Sequence, residues 1–152
     1  SSHLQGAKLM WKYLPSAVAA KYCVVKKDPY EKNGHRQILN LGHTVGHVLE
    51  SFYNCSHGHA VCHGLDFAIK WSVQKKMLAP SEAFTYQKLL KLDKFPTKIP
   101  PAKFLHLLKA DKKSVGANRV SFVFLSGLGS PVCKRVQLNS LVAEAKRQEI
   151  VE

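Results

Sequence analysis

The sequence predicts a mainly α fold, a helical domain carrying one small β-hairpin. Three observations lead there. Apolar residues recur at helical spacing through most of the 152 residues. One β-branched and aromatic run, "RVSFVFL", is followed across "GLGSP" by a plausible partner strand, "VCKRVQL". No internal repeat or low-complexity tract is present, and no stretch approaches the ~20 consecutive apolar residues of a membrane span.

Taken in order, residues 8–26 read as helix, with a break or fresh start at Pro15-Ser16. "KKDPYEKNGHR" is polar and turn-rich, a loop. Helical periodicity then runs over residues 36–53, is punctuated by "NCSHGH", and resumes over 59–77 before Pro80. Ser81 followed by Glu82 marks a capped helix to about Leu92. "FPTKIPP" holds three prolines and reads as an extended connector. A short helix over 102–110 leads into the loop "DKKSVGAN", then the hairpin. "SLVAEAKRQEI" closes as a helix capped by Asn139 or Ser140.

The hydrophobic fraction, 45%, is enough for a single domain, residues 1–152, with its own core. Four cysteines without scaffold-like spacing, and no secretory signal, point to a reduced cytoplasmic setting. The net charge of +13 favours anionic partners. It is spread in short runs along the chain, and no aromatics interleave as a stacking platform for single strands. A basic module that binds a polyanion is the alternative from another class. It would explain the charge, and nothing else.

The chemistry concentrates in "RQILNLGHTVGHVLESF". On one continuous helix, at roughly 100° per residue, Arg36, Asn40, His43 and His47 share a narrow polar stripe. Ile38, Leu41, Val45, Val48, Leu49 and Phe52 take the opposite half. Gly42 and Gly46 flank the stripe, and each mid-helix glycine costs about 1 kcal/mol relative to alanine. A helix needing only stability has little reason for them, so they predict close approach of a ligand or another backbone. Histidines at i and i+4 can share a metal. The metalloprotease helix requires a glutamate after the first histidine, and Thr44 stands there instead. Cys55, His57, His59, Cys62 and His63 are dense enough for a structural zinc site, but their spacing matches no zinc module.

"RQILNLGHTVGHVLE" followed by "HGHAVCHGL" resembles the C-terminal half of 3-dehydroquinate synthase, in the sugar-phosphate cyclase superfamily. The family pattern is R-x-x-L-N-x-G-H-T-x-G-H-x-x-E, then H-G-E-x-V-x-x-G-M. The helix "AVAAKYCVVKK", its acidic loop, and "DKKSVGANRVSFVFL" continue the likeness. The resemblance implies an NAD- and zinc- (or cobalt-) dependent lyase that turns 3-deoxy-D-arabino-heptulosonate 7-phosphate into 3-dehydroquinate and phosphate, in the shikimate pathway. The 2-deoxy-scyllo-inosose synthase branch is the near alternative.

Carried over by motif, His43 and His57 would ligate the metal, and His47 and Glu31 would serve proton transfer. Lys21, Arg36, Asn40, His47, Lys112 and Lys113 would hold the substrate. Two departures stand out: one extra residue before Arg36 in the acidic loop, and His59 where the family has glutamate. The family's NAD-binding half, and the further glutamate ligand expected early in its helical half, have no counterpart here. The resemblance therefore implies a fragment that is inactive alone, and an intact enzyme that is a homodimer binding neither nucleic acid nor membrane.

Overall fold

The computed structural model describes residues 2–90, 92–111 and 118–152. Along the chain come α1 (Ser2–Lys27), a 3-10 helix (His35–Asn40), α2 (His43–Tyr53), α3 (His57–Gln74) and α4 (Pro80–Gln87). They are followed by α5 (Pro101–Asp111), β1 (Arg119–Leu125), β2 (Pro131–Gln137) and α6 (Leu138–Arg147). The mainly helical fold with a single hairpin is the predicted one. Two compact units are present, Ser1–Leu39 and Asn40–Glu152.

In the first unit, α1 passes through Pro15 without the expected break. Proline there removes one helical hydrogen bond. The residues from Met10 to Cys23 are all exposed, so water can meet the freed carbonyl and the helix continues. Asp28 organises the loop after it. Its Oδ1 accepts from the backbone N–H groups of Lys32 at 2.9 Å and Asn33 at 3.2 Å, and its Oδ2 from that of Arg36 at 3.3 Å. Burial alone would raise the Asp28 carboxyl; the backbone donors of Asn33, Arg36, Lys32 and His35 outweigh it and leave its pKa below the ordinary value.

The second unit is built around α3. Its buried face, Ala60, Phe67, Ala68 and Trp71, joins Val45, Val48 and Leu49 of α2, Phe104 and Leu108 of α5, and Phe122 and Phe124 of β1 in one core. The strands pair antiparallel with Val123 opposite Cys133, and the β1 side chains are mostly buried while β2 faces outward. Ser72 links helix to hairpin: its hydroxyl donates to the Ala68 carbonyl at 2.7 Å and accepts from the Leu125 N–H at 2.9 Å. A buried hydroxyl with both partners is satisfied, and it fixes β1 against α3.

Several boundaries differ from the sequence reading, each for a local reason. The expected continuous helix over 36–53 is interrupted, because Gly42 takes a left-handed φ of 79° and α2 starts only at His43. Helix α3 begins at His57 rather than His59, with the Ala60 N–H bonded to the Ser56 carbonyl at 3.0 Å. Helix α4 starts on Pro80 with Ala79, not Ser81, at the cap position, and it ends at Gln87 where the chain tightens into three-residue turns. Neither Asn139 nor Ser140 caps α6. Leu138, 1% exposed, is drawn into the core as the first helical residue, and its N–H bonds the Asn118 carbonyl.

Candidate metal centre

The three glycines at the α2–α3 crossing decide how the site is assembled. A Cβ on Gly64 would lie 1.8 Å from the Gly42 carbonyl oxygen. One on Gly42 would lie 2.9 Å from the Leu65 backbone nitrogen, and one on Gly46 3.2 Å from the Ala60 carbonyl oxygen. Backbone packs on backbone there, which no side-chained residue permits. The sequence reading expected Gly42 and Gly46 to admit a close neighbour; the neighbour is α3. Gly42 is not mid-helix, so its helical cost does not apply.

This crossing brings His43 and His47 of α2 beside His57, the first residue of α3. One ring nitrogen from each lies within 4.8 Å of the others. Ring centroids are 5.4 Å apart for His43–His47 and His43–His57, and 5.8 Å for His47–His57. His43 and His47 are half-buried and His57 is exposed.

The Nδ1 atoms of His43 and His57 each face an acceptor, which sets the tautomer of the neutral ring. Nδ1 of His43 is 3.0 Å from the Leu41 carbonyl, and Nδ1 of His57 is 3.0 Å from Oε2 of Glu50. A carbonyl and a carboxylate only accept, so both Nδ1 atoms donate and both Nε2 atoms keep a lone pair. A carboxylate behind a metal-ligating imidazole also raises its basicity and sets its orientation. The donor set is thus two oriented imidazoles with a third beside them, which suits zinc or cobalt with room for a further ligand.

The other predicted residues are placed as follows. Asn40 is exposed at the end of the 3-10 helix, just before the Gly42 turn. In the first unit, Lys21 lies exposed on α1, and Glu31 is exposed in the Asp28 loop with a left-handed φ of 54°. Arg36 is half-buried, and its Nη1 donates to the Pro29 carbonyl at 3.4 Å. Lys112 and Lys113 lie outside the described residues. The single stripe expected of Arg36, Asn40, His43 and His47 needs an unbroken helix, and Gly42 ends that register.

Sequence reasoning gave Glu50 no role, although it occupies the last position of the quoted motif; the pairing with His57 is the missing signal. It gave His47 proton transfer and substrate binding; one nitrogen of its ring also lies within 4.8 Å of one on each of the two expected ligands. Cys55 and Cys62 take no part in the histidine group, so the mixed cysteine–histidine zinc module is not what forms among the described residues. All four cysteines are free thiols.

The helical domain with its single hairpin has the fold found in sugar-phosphate cyclases. A crystal structure of 2-deoxy-scyllo-inosose synthase complexed with carbaglucose-6-phosphate, NAD+ and Co2+ is similar with a TM-score of 0.76. It is 25% identical, over 93% of this chain and 42% of that one. Within that class, residues 2–114 match the family described as 3-dehydroquinate synthase C-terminal, and the chain belongs to it. The 3-dehydroquinate synthase of Bartonella bacilliformis is 34% identical over 82% of this chain and 36% of its own length. That of Endomicrobium trichonymphae is 36% identical over 76% of this chain and 33% of its own. The chain thus spans about a third of the length of these relatives. No described helix is long and apolar enough to cross a membrane.

Proposed function

We propose that this chain is the metal- and substrate-binding half of a 3-dehydroquinate synthase, acting on 3-deoxy-D-arabino-heptulosonate 7-phosphate and releasing phosphate. The observation that carries the reading is the His43–His47–His57 group with its two anchored Nδ1 atoms. His43 and His57 would hold zinc or cobalt, which when bound would supply a Lewis acid for the reacting oxygen of the sugar, and Glu50 keeps the His57 ring aimed.

His47, in the same cluster, either completes the donor set or moves a proton at the substrate; the two roles separate by metal content of a His47→Gln variant. Arg36 and Lys21 are the cations offered to phosphate and carboxylate, and an arginine fork suits either. Asn40 hydrogen-bonds a hydroxyl, and Glu31 is the proton acceptor in the loop that Asp28 organises. Lys112 and Lys113 add positive charge. The NAD site lies in a segment that precedes this one in the whole protein, which is cytoplasmic and dimeric in this reading, with neither nucleic acid nor membrane as partner. The chain by itself is inactive.

The test is phosphate release from the heptulosonate 7-phosphate, with NAD and zinc supplied. It compares this chain with the same chain extended by an NAD-binding half. Release by the extended protein alone is expected. No release from an extended protein that folds and binds NAD would overturn the substrate assignment; turnover of glucose 6-phosphate instead would favour the 2-deoxy-scyllo-inosose branch.

A further inference from the structure

A second pair of histidines lies on α3, one turn apart. Nε2 of His59 and Nε2 of His63 are 3.3 Å from each other, with the rings nearly perpendicular at 87°. Both are half-buried, and both pack on Phe95, at centroid distances of 5.5 and 4.4 Å. Phe95 is itself stacked on Tyr53 at 4.0 Å, so the wall behind the pair is stiff.

The spacing between the nitrogens fits two roles. In one tautomer an N–H···N hydrogen bond joins the rings at 3.3 Å. Two imidazoles bound at 2.0–2.1 Å to one tetrahedral ion stand about 3.3–3.4 Å apart. The pair already has the bite of a chelate, and the two rings lie at i and i+4 on one helix, which needs no rearrangement to hold it.

The surroundings carry both signs of charge, Asp66, Asp93 and Glu149 lining one cavity with Lys70, Lys94 and Lys98. His63 lines the same cavity, of about 510 Å³, together with Tyr53. The Asp66 oxygens are engaged by Gln87 Nε2 at 3.2 Å and Lys70 Nζ at 2.6 Å, so that carboxylate adds field rather than a ligand. Asp93, exposed just before the connector, lines the same cavity and acts electrostatically on His63.

We propose that His59 and His63 form a second metal-binding site, a two-histidine clip for a first-row divalent cation such as Zn2+, with water completing the shell. Each ring contributes its Nε2 lone pair and keeps its proton on Nδ1. The site is separate from the His43–His47–His57 group, which does not include either residue. It requires only the side chains of α3, and therefore stands or falls independently of the cyclase reading.

Zinc stoichiometry of this chain, measured by equilibrium dialysis at neutral pH, tests it. Two ions per wild-type chain are expected, the second weaker than the first. His63→Gln, which retains much of the ring's volume, and His63→Ala should each weaken the second class at least tenfold and leave the first unchanged. A His43→Ala/His57→Ala double variant should lose the first class and keep the second. Far-UV circular dichroism shows that each variant is folded. One ion per wild-type chain, with no effect of His63→Gln, overturns the proposal. So does loss of binding on His59→Gln without any loss on His63→Gln, which would place His59 with the other centre.

Discussion

The Glu50 carboxylate sits 3.0 Å from Nδ1 of His57, seven residues and one helix boundary away. Both side chains are partly exposed, so as an ion pair the contact is worth little. Its consequence is orientation: it holds an exposed ring, one nitrogen of which lies within 4.8 Å of those of His43 and His47. Glu50→Gln should lower zinc affinity at the three-histidine group about 10- to 100-fold with little change in fold stability. Competition with a chromophoric chelator reads this directly. Unchanged affinity would mean that the pair is a surface contact only.

Gly64 tolerates no side chain, because its Cβ would collide with the Gly42 carbonyl and no flexible group can yield there. Gly64→Ala should cost about 3 kcal/mol or more, at the upper end of overpacking effects. Gly58, on the same helix, has nothing within 4 Å of its Cβ position. Gly58→Ala should be neutral or stabilising by up to about 1 kcal/mol, since it removes backbone freedom from the unfolded chain. Urea midpoints of the two variants should therefore move in opposite directions, or only the first should move.

Asp28 gives a pH signature confined to its loop. Its folded carboxyl titrates below the ordinary value, so it binds protons less readily than in the unfolded chain. The stabilisation is fully present above the unfolded value near 3.8 and is lost as pH falls through the folded value. Amide exchange at Lys32, Asn33 and Arg36 should be protected at neutral pH and should rise as acid titrates Asp28. In Asp28→Ala the same amides should exchange faster at neutral pH, and the acid dependence should vanish.

Removing metal should leave the fold intact. The core that holds the second unit is Phe67, Trp71, Phe104, Phe122, Phe124 and their aliphatic neighbours, while His43 and His47 are half-buried and His57 is exposed. Chelation should therefore leave the circular dichroism unchanged, with a thermal midpoint lowered only by the linkage term of the lost ion. Global unfolding on chelation would instead indicate a zinc-dependent fold.

How far the sequence reached differs from one element to the next. The hairpin was legible to within a residue, because β-branched alternation across a turn has few other solutions. The helix starts at Pro80 and Leu138 were less so: each is decided by what the first residue buries or bonds, not by the best capping side chain nearby.

The sequence by itself determined the mainly α fold, the family, and the two α2 histidines of the site, since these depend on residue type and spacing along a single element. Tertiary structure alone decided that Gly42 breaks the helix, that Glu50 orients His57, and that His47 stands within one donor atom's reach of both expected ligands. The physical reason is the glycine crossing of α2 and α3. Where two backbones leave no space for a Cβ is a property of two helices packed together, and a pattern read along one helix does not contain it.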